Sequence, residues 1–362
     1  MRLLICAGGT GGGVYPALAV LDMLNNTSHD LLWVGGDGGM EVDLVERQGI
    51  PFATIPAAGV HGVGLRMLPG NLLRLLRGVK ASIRILRDFK PEVLFFTGGY
   101  VAVPMAVAGF RTPSLLYVPD IEPGLALKAL AWFAHRITVT APASSAYFSQ
   151  KDRIVTTGYP VRNQLAKWDQ ATARKKLGLQ TDEPVLLVFG GSKGARSINN
   201  ALLANLPALL ERVQIVHISG KLDWKKVEAA RNSLNREQAQ RYHAFDYLHE
   251  DMGAALAAAD LAVSRAGASS LGEFPLFGLP ALLVPYPYAW RYQKVNAEYL
   301  RKKGGAIMVR DENLEESLVP LVEELLQNPQ KLNGMRTAMK KLARPQAAQE
   351  IAAELLALAG KR

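Results

Sequence analysis

Short runs of consecutive apolar residues alternate along the chain with longer stretches in which apolar positions recur every three or four residues. The first pattern predicts buried strands and the second predicts amphipathic helices. Strands are predicted at Leu31–Val34, Val93–Phe96, Ser114–Val118, Ile137–Thr140, Ile215–Ser219, Leu261–Ser264 and Ala281–Pro285. Two segments repeat a strand and a glycine loop: RLLICAGGTGGG, from Arg2 to Gly13, and VLLVFGGSKGA, from Val185 to Ala195. Helical patterns follow each, at Ala17–Leu24 and Ile198–Leu210. Strands alternating with helices imply an α/β fold of parallel sheets wound with helices. Two starting points imply two such domains, with a boundary expected in GYPVRNQL, Gly158 to Leu165. The first domain would span 1–160 and the second 161–344. The segment 345–362, with a helix at Gln346–Ala359, would return to the first.

Composition narrows the class. Of 362 residues, 49% are hydrophobic and 20% charged, the balance of a globular protein. The uncharged stretch Val93 to Phe110 is long enough to span a bilayer, but Gly98, Gly99 and Pro104 interrupt it, so a buried strand is the better reading. The apolar run Leu3 to Ala7 is too short for a signal peptide. The one cysteine, Cys6, forms no internal disulfide and fits a reducing compartment. The chain is expected in the cytosol, or on a membrane from its cytoplasmic side. A net charge of +10 points to anionic partners.

Glycine lets backbone approach a ligand closely, and a strand-to-helix glycine turn aims helix amides at an anion. Neither loop fits a standard signature. GGTGGG is not G-x-G-x-x-G, and Asp37 lies too far along to serve as the ribose acid of a dinucleotide site. No Lys-Ser/Thr follows to make a P-loop. Close helix–strand packing explains either loop alone. Two in tandem, with Gly98 and Gly99 after another strand, suggest a phosphate-binding cleft.

The densest segment is SRAGASSLGEFPLFGLPALLVPYPYAWRYQKVNA, Ser264 to Ala297. It reads as strand, glycine turn, short helix, strand and Pro-Tyr-Pro exit. Glu273, early in the helix, either accepts both hydroxyls of a ribose or is a solvated first-turn glutamate favoured by the dipole. The Gln293 and Asn296 amides can pair with sugar hydroxyls.

Taken in order, GGTGG at Gly8, PALAV at Pro16, GGYVAVP at Gly98, GYPVR at Gly158, GGSKGARSIN at Gly190, RAGASS with Glu273, and PYP with Gln293 and Asn296 resemble the MurG family over nearly the whole length. That family is the UDP-N-acetylglucosamine–N-acetylmuramyl-(pentapeptide) pyrophosphoryl-undecaprenol N-acetylglucosamine transferases. The resemblance implies a GT-B fold, two Rossmann-like doubly wound domains facing a cleft. It implies UDP-GlcNAc as donor, bound mainly by the second domain: Glu273 on the ribose, Gly267, Ala268 and Ser269 along the diphosphate, Arg162 and Ser192 helping to neutralise it, Gln293 on the sugar, and backbone from Leu248 to Met252 on the uracil. Thr10, Gly11 and Gly12 would close over the donor toward the acceptor diphosphate, and Gly98, Gly99 and Tyr100 would face the acceptor. The reaction would be inverting transfer to the C4 hydroxyl of a lipid-linked muramyl-pentapeptide. No cofactor is implied. The chain has no Asp-x-Asp and its six histidines lack ligand spacing, so no metal is expected.

Two departures bear on the base. The family usually carries histidine where this chain has Gly13, and His-Glu-Gln-Asn within the stretch YVPDIEPGLALK, Tyr117 to Lys128, where Asp120 falls at the position of the asparagine and Glu122 is close by. Asp120 and Glu122 are the candidate replacements, with capping of a helix near Gly124 as the alternative. The departures also leave open a different lipid acceptor, or a cleft kept for binding alone; a nicotinamide enzyme lacks its fingerprint.

Gly62 to Lys90 holds seven basic residues and one acid. Arg74, Arg77, Lys80, Arg84 and Arg87 recur at helical spacing beside an apolar stripe of Leu72, Leu76, Val79, Ile83 and Leu86. The stripe is expected in the core. Leu65, Met67 and Leu68 beside Arg66 are expected to dip into an anionic cytoplasmic membrane surface. Nucleic acid is not expected as a partner, since Phe89 is the only aromatic in the stretch.

Overall fold

The computed structural model describes residues 1–8, 11–24, 29–36, 42–58, 68–191, 193–288 and 292–360. Thr10, Asp37, Leu65, Arg66, Met67 and Ser192 lie outside them. The chain divides into two units, Met1–Arg162 with Pro345–Arg362, and Asn163–Arg344.

The first unit is built on β1 (Arg2–Cys6), β2 (Asp30–Gly36), β3 (Phe52–Ile55), β4 (Val93–Phe96), β5 (Ser114–Val118), β6 (Arg136–Val139) and β7 (Ile154–Thr156). Their order is β3-β2-β1-β4-β5-β6-β7, with parallel pairing. The second unit holds β8 (Val185–Phe189), β9 (Gln214–Ile218), β10 (Tyr242–Phe245), β11 (Leu261–Ser264), β12 (Ala281–Leu283) and β13 (Ala306–Met308). Their order is β10-β9-β8-β11-β12-β13, again parallel. Residues of β4, β5, β8, β9 and β11 are buried throughout, as continuous apolar strands in a sheet covered on both faces must be.

In each sheet the strand order reverses at one place, between β1 and β4 and between β8 and β11. Crossovers leave in opposite directions there, so the carboxyl ends of the two strands border an open crevice, where sheets of this kind bind ligands. Cys6 pairs with Phe96 at one reversal and Phe189 with Ser264 at the other.

The helix Ala347–Ala359 belongs to the first unit. It packs on the helix Gly11–Leu24 and on β4 and β5, buries Ile351 and Leu355, and is pinned by Arg136 to Glu354 at 2.9 Å.

Three expectations are corrected. The helical pattern at Ile198–Leu210 is two helices, Arg196–Ala204 and Leu206–Leu210. Pro207 has no N–H to continue the ladder, and the Asn205 amide donates to the Ala201 carbonyl at 2.9 Å. The first helix begins at Gly11 rather than Ala17, so the glycines form its first turn.

Most of the apolar stripe of the helix Leu68–Phe89 lies outside the core: Leu86 packs against it and Val79 is half-buried, but the other three do not. Leu72, Leu76 and Ile83 are 54%, 61% and 53% exposed, on the same helix as exposed Arg74, Arg77, Lys80, Arg84 and Arg87. Asn71, Gly78 and Ser82 are buried instead. A Cβ at Gly78 would lie 2.3 Å from the Pro56 carbonyl oxygen and 3.1 Å from the Pro104 ring. Backbone approach that close requires a small residue, so the packing face combines Gly78, Ala81 and Ser82 with Ile85, Leu86 and Phe89 nearer its end.

Candidate active site

Both glycine turns of the second unit lie at its strand reversal. After β8, Gly190 and Gly194 are fixed by sterics: a Cβ at Gly190 would meet the Ala195 nitrogen at 2.1 Å, and one at Gly194 the Ser219 carbonyl oxygen at 2.2 Å. Gly191 and Gly194 have φ of +87° and +78°, which favour glycine. The exposed Lys193 lies in this turn and the exposed Arg196 opens the next helix. After β11, Arg265 and Ala266 lead to Gly267, Ala268 and Ser269 and then to the helix Ser270–Phe277. The Ser270 hydroxyl and amide both donate to the Gly267 carbonyl, at 2.6 and 3.1 Å. The Asn296 amide donates to the Ala266 carbonyl at 3.1 Å. A Cβ at Gly267 would meet nothing within 4 Å, so this turn presents open backbone. Glu273 stands half-buried in the first turn of that helix. A second-unit turn that binds an anion would thus have helix amides and a nearby carboxylate for a polyol.

Gln293 opens the helix Tyr292–Lys302, and its Oε1 accepts from the Tyr286 amide at 2.9 Å. That bond orients Nε2 as the donor end. Sequence reasoning passed over Arg265, which is 9% exposed and ties the strand exits together. It donates to the Val284 carbonyl at 3.0 Å, to the Ser197 hydroxyl at 2.7 Å and to Asp311, and its guanidinium lies over the Tyr286 ring at 5.2 Å. The signal available was a lone charge at the end of the apolar run LAVS. Leu248 to Met252 follow β10, the edge strand beside β9.

At the reversal of the first unit, Gly8 follows β1, with Gly11 and Gly12 opening the helix behind it. The Trp33 indole donates to the Ala7 carbonyl at 2.9 Å and fixes the exit of β1. Gly98 and Gly99 follow β4 with φ of +133° and +82°. A Cβ at Gly99 would stand 2.7 Å from the Gly8 carbonyl oxygen, so the two glycine segments touch. Tyr100, next in sequence, is exposed. Arg162 lies with its guanidinium 4.8 Å from the centre of the Tyr15 ring, one turn beyond the glycines. Asp22, on the same helix, is raised by burial above the usual carboxylate range, a shift that the Arg162 charge opposes.

Asp120 follows β5, the neighbour of β4. The turn that carries it is held from below. The Thr140 hydroxyl donates to the Pro119 carbonyl at 2.8 Å, so the Tyr117 hydroxyl, 2.7 Å away, is the donor in that pair. Burial, Tyr159 and the Asp120 charge push the Tyr117 phenol well above its ordinary value, which keeps it protonated. Asp120 is half-buried. Glu122 is 3% exposed and pairs with Lys128 at 3.8 Å, whose ammonium also lies 5.5 Å from the centre of the Tyr147 ring. The helix Leu125–Ala131 has Gly124 as N-cap, with no side-chain cap bond.

Among the described residues no three His, Cys, Asp or Glu side chains are grouped to hold a metal ion, and no helix is long and apolar enough to cross a membrane.

Residues 3–139 match the glycosyltransferase family 28 N-terminal domain, and 185–351 its C-terminal domain. The chain is 38% identical over 413 residues to the UDP-N-acetylglucosamine–N-acetylmuramyl-(pentapeptide) pyrophosphoryl-undecaprenol N-acetylglucosamine transferase of Roseiflexus sp. (strain RS-1), covering 97% of this chain and 94% of the relative. It is 38% identical to the enzyme of that name from Desulforudis audaxviator (strain MP104C), covering 100% and 99%. The crystal structure of MurG from Acinetobacter baumannii matches with a TM-score of 0.77 at 26% identity, over 98% of this chain and 99% of that one. The UDP-GlcNAc 2-epimerase of Neisseria meningitidis bound to UDP-GlcNAc matches at 0.67 and 15% identity, over 99% and 100%, a likeness of fold alone.

Proposed function

Because the chain belongs to the MurG family of glycosyltransferases and has the GT-B fold, we propose a division of its reaction between the residues of its two units. The chain transfers GlcNAc from UDP-GlcNAc to the C4 hydroxyl of undecaprenyl-pyrophosphoryl-MurNAc-pentapeptide, the lipid I to lipid II step of peptidoglycan synthesis. The C4 oxygen attacks C1 of GlcNAc from the face opposite UDP. A bond forms between them, the C1–phosphate oxygen bond breaks with its electron pair going to UDP, and the configuration at C1 inverts.

The donor falls to the second unit. The observation that carries this reading is the open glycine turn Gly267–Ser269, set at the strand reversal with Glu273 one turn into the helix behind it. Glu273 accepts from the ribose hydroxyls, backbone at Leu248 to Met252 pairs with uracil, and Gln293 Nε2 donates to the sugar. The amides of Gly267, Ala268 and Ser269 meet the charge that develops on the leaving diphosphate, and Arg162 keeps the neutralising role that the resemblance implies. Lys193 and Arg196 add positive charge beside it. Thr10 and Ser192, outside the described residues, keep the donor roles that the resemblance implies.

The acceptor falls to the first unit, with Gly98, Gly99 and Tyr100 on it, while Gly11 and Gly12 close over the donor toward the acceptor diphosphate. Asp120 takes the C4 proton; Glu122 is already engaged by Lys128. The exposed apolar and basic face of the helix Leu68–Phe89 rests on anionic lipid at the cytoplasmic side of the membrane, as a lipid-linked acceptor requires.

A UDP-GlcNAc titration tests the donor assignment. Glu273→Gln is expected to raise the donor KM at least about tenfold with a smaller change in kcat, since the ribose contact is made in ground and transition states alike. An unchanged KM would remove Glu273 from the donor site.

A further inference from the structure

The exits of β12 and β13 enclose a cavity of about 640 Å³ that none of these roles uses. Its size is that of a small-ligand pocket. Tyr286 and Tyr288 form one wall, rings edge to face at 5.7 Å, and Tyr288 is 86% exposed. Lys294 and Glu298 lie on the helix Tyr292–Lys302, and Arg310 and Glu312 just past β13.

The charges alternate. Lys294 faces Glu298 and Arg310 faces Glu312, each at 3.9 Å, and the Lys294, Arg310 and Glu312 side chains are more than 60% exposed. Pairs this long and exposed are weak, so a ligand can replace either partner at little cost. Glu298 and Glu312 in the lining, opposite Lys294 and Arg310, disfavour a phosphate or a lipid headgroup; Asp311 is engaged by Arg265. Exposed tyrosines that offer flat surface at low entropic cost, beside both signs of charge, suit a short peptide. A peptide carries a terminal carboxylate for Arg310 or Lys294, and any amine it bears meets Glu298 or Glu312.

The position agrees with that chemistry. The Tyr286 amide that holds Gln293 is part of this wall, so the cavity begins where the donor sugar is read. In a muramyl sugar the peptide hangs from a lactyl ether on C3, the carbon next to the C4 hydroxyl that attacks. We propose that this cavity receives the peptide of the acceptor, an inference that rests on the donor assignment to Gln293.

The test compares two lipid-linked muramyl acceptors, one with the full pentapeptide and one cut to its first residue. The wild type is expected to favour the pentapeptide in kcat/KM by about tenfold, an ordinary gain for a few new contacts. In Tyr288→Ala combined with Arg310→Ala, the preference is expected to fall to within about twofold of unity. Both rates come from one protein, so a general loss of activity or folding cancels in the ratio. A wild type that treats the acceptors alike, or a variant that keeps the full preference, would overturn the proposal. Turnover of the short acceptor reports separately on the transferase reading, and its loss together with that of the pentapeptide acceptor would remove both.

Discussion

The Thr97 hydroxyl donates to the Gly13 carbonyl at 2.7 Å, and a Cβ on Gly13 would stand 3.2 Å from the Thr97 carbonyl oxygen. The exits of β1 and β4 are thus clasped at the position where the family usually carries histidine. Gly13→His would bring a Cβ within 3.2 Å of the Thr97 carbonyl oxygen and 3.4 Å of its hydroxyl, closer than ordinary contact. Overpacking of this kind costs about 1–3 kcal/mol. The variant is expected to unfold at a lower temperature, by roughly 2–4 °C for each kcal/mol lost, and to turn over no faster than the wild type. Thermal unfolding and initial rates check both.

Asp120 and Glu122 separate by what they disturb. Asp120→Asn is expected to lower kcat by about 10²-fold or more, the range for a lost general base, with the donor KM and the unfolding temperature little changed. Glu122→Gln is expected to do the reverse. It leaves Lys128 facing a neutral amide in a buried corner, which lowers stability by about 1–2 kcal/mol after allowing for the exposure of Lys128, with kcat kept within a few-fold. Rates and unfolding curves of the two variants decide between them.

The sequence was most legible where burial was complete. β4, β5 and β11 begin and end at the residues their apolar runs predict. The strands that went unread, β3, β7, β10 and β13, are the four sheet edges. An edge strand is covered less fully, so FATI, IVT and YHAF are broken or ended by a polar residue and AIM is a run of only three. The glycine turns were legible as motifs, but their reasons were not: Gly194 answers to Ser219 and Gly99 to Gly8, contacts that only the tertiary fold creates. The same holds for Arg265, whose partners Ser197 and Asp311 lie far along the chain on either side. The helix Leu68–Phe89 misled because the close approach at Gly78 turns a face of small residues, with Ile85 and Phe89, toward the core and leaves Leu72, Leu76 and Ile83 outside.

That helix yields a membrane prediction. Replacing Leu72, Leu76 and Ile83 together by serine is expected to weaken binding to anionic vesicles by at least about tenfold, since each apolar side chain contributes about 1.5–3 kcal/mol on full burial. Stability is expected to change little, because all three are exposed. Arg74→Gln and Arg77→Gln should each remove about 1 kcal/mol, and only at low salt. Vesicle sedimentation across salt concentrations and lipid charge checks both.

His217 yields a pH prediction. It is fully buried, 2.7 Å from the Tyr242 hydroxyl through Nδ1 and 3.0 Å from Asn199 Oδ1 through Nε2. Asn199 already donates through Nδ2 to the Ser219 carbonyl and to Asp223, so Oδ1 accepts and Nε2 carries the proton. Burial pushes the imidazole down to about 3 from 6.5. Above pH 6.5 the group is neutral in both states and stability does not depend on it. Below that, the unfolded chain takes up a proton that the folded chain refuses until about pH 3, so stability falls as pH drops through this window. By pH 5 the loss is about 2 kcal/mol. Denaturant unfolding at pH 7.5 and pH 5 should show this loss in the wild type and not in His217→Gln.

The most direct measurement is UDP release from UDP-GlcNAc, in EDTA, with and without a lipid-linked muramyl-pentapeptide acceptor. Release is expected only with the acceptor present, one UDP for each disaccharide formed, and undiminished by EDTA, because the proposed donors to the leaving charge are protein groups rather than a metal. No release in the presence of the acceptor, or release that ignores the acceptor, would contradict the assignment of this chain's residues to that transfer.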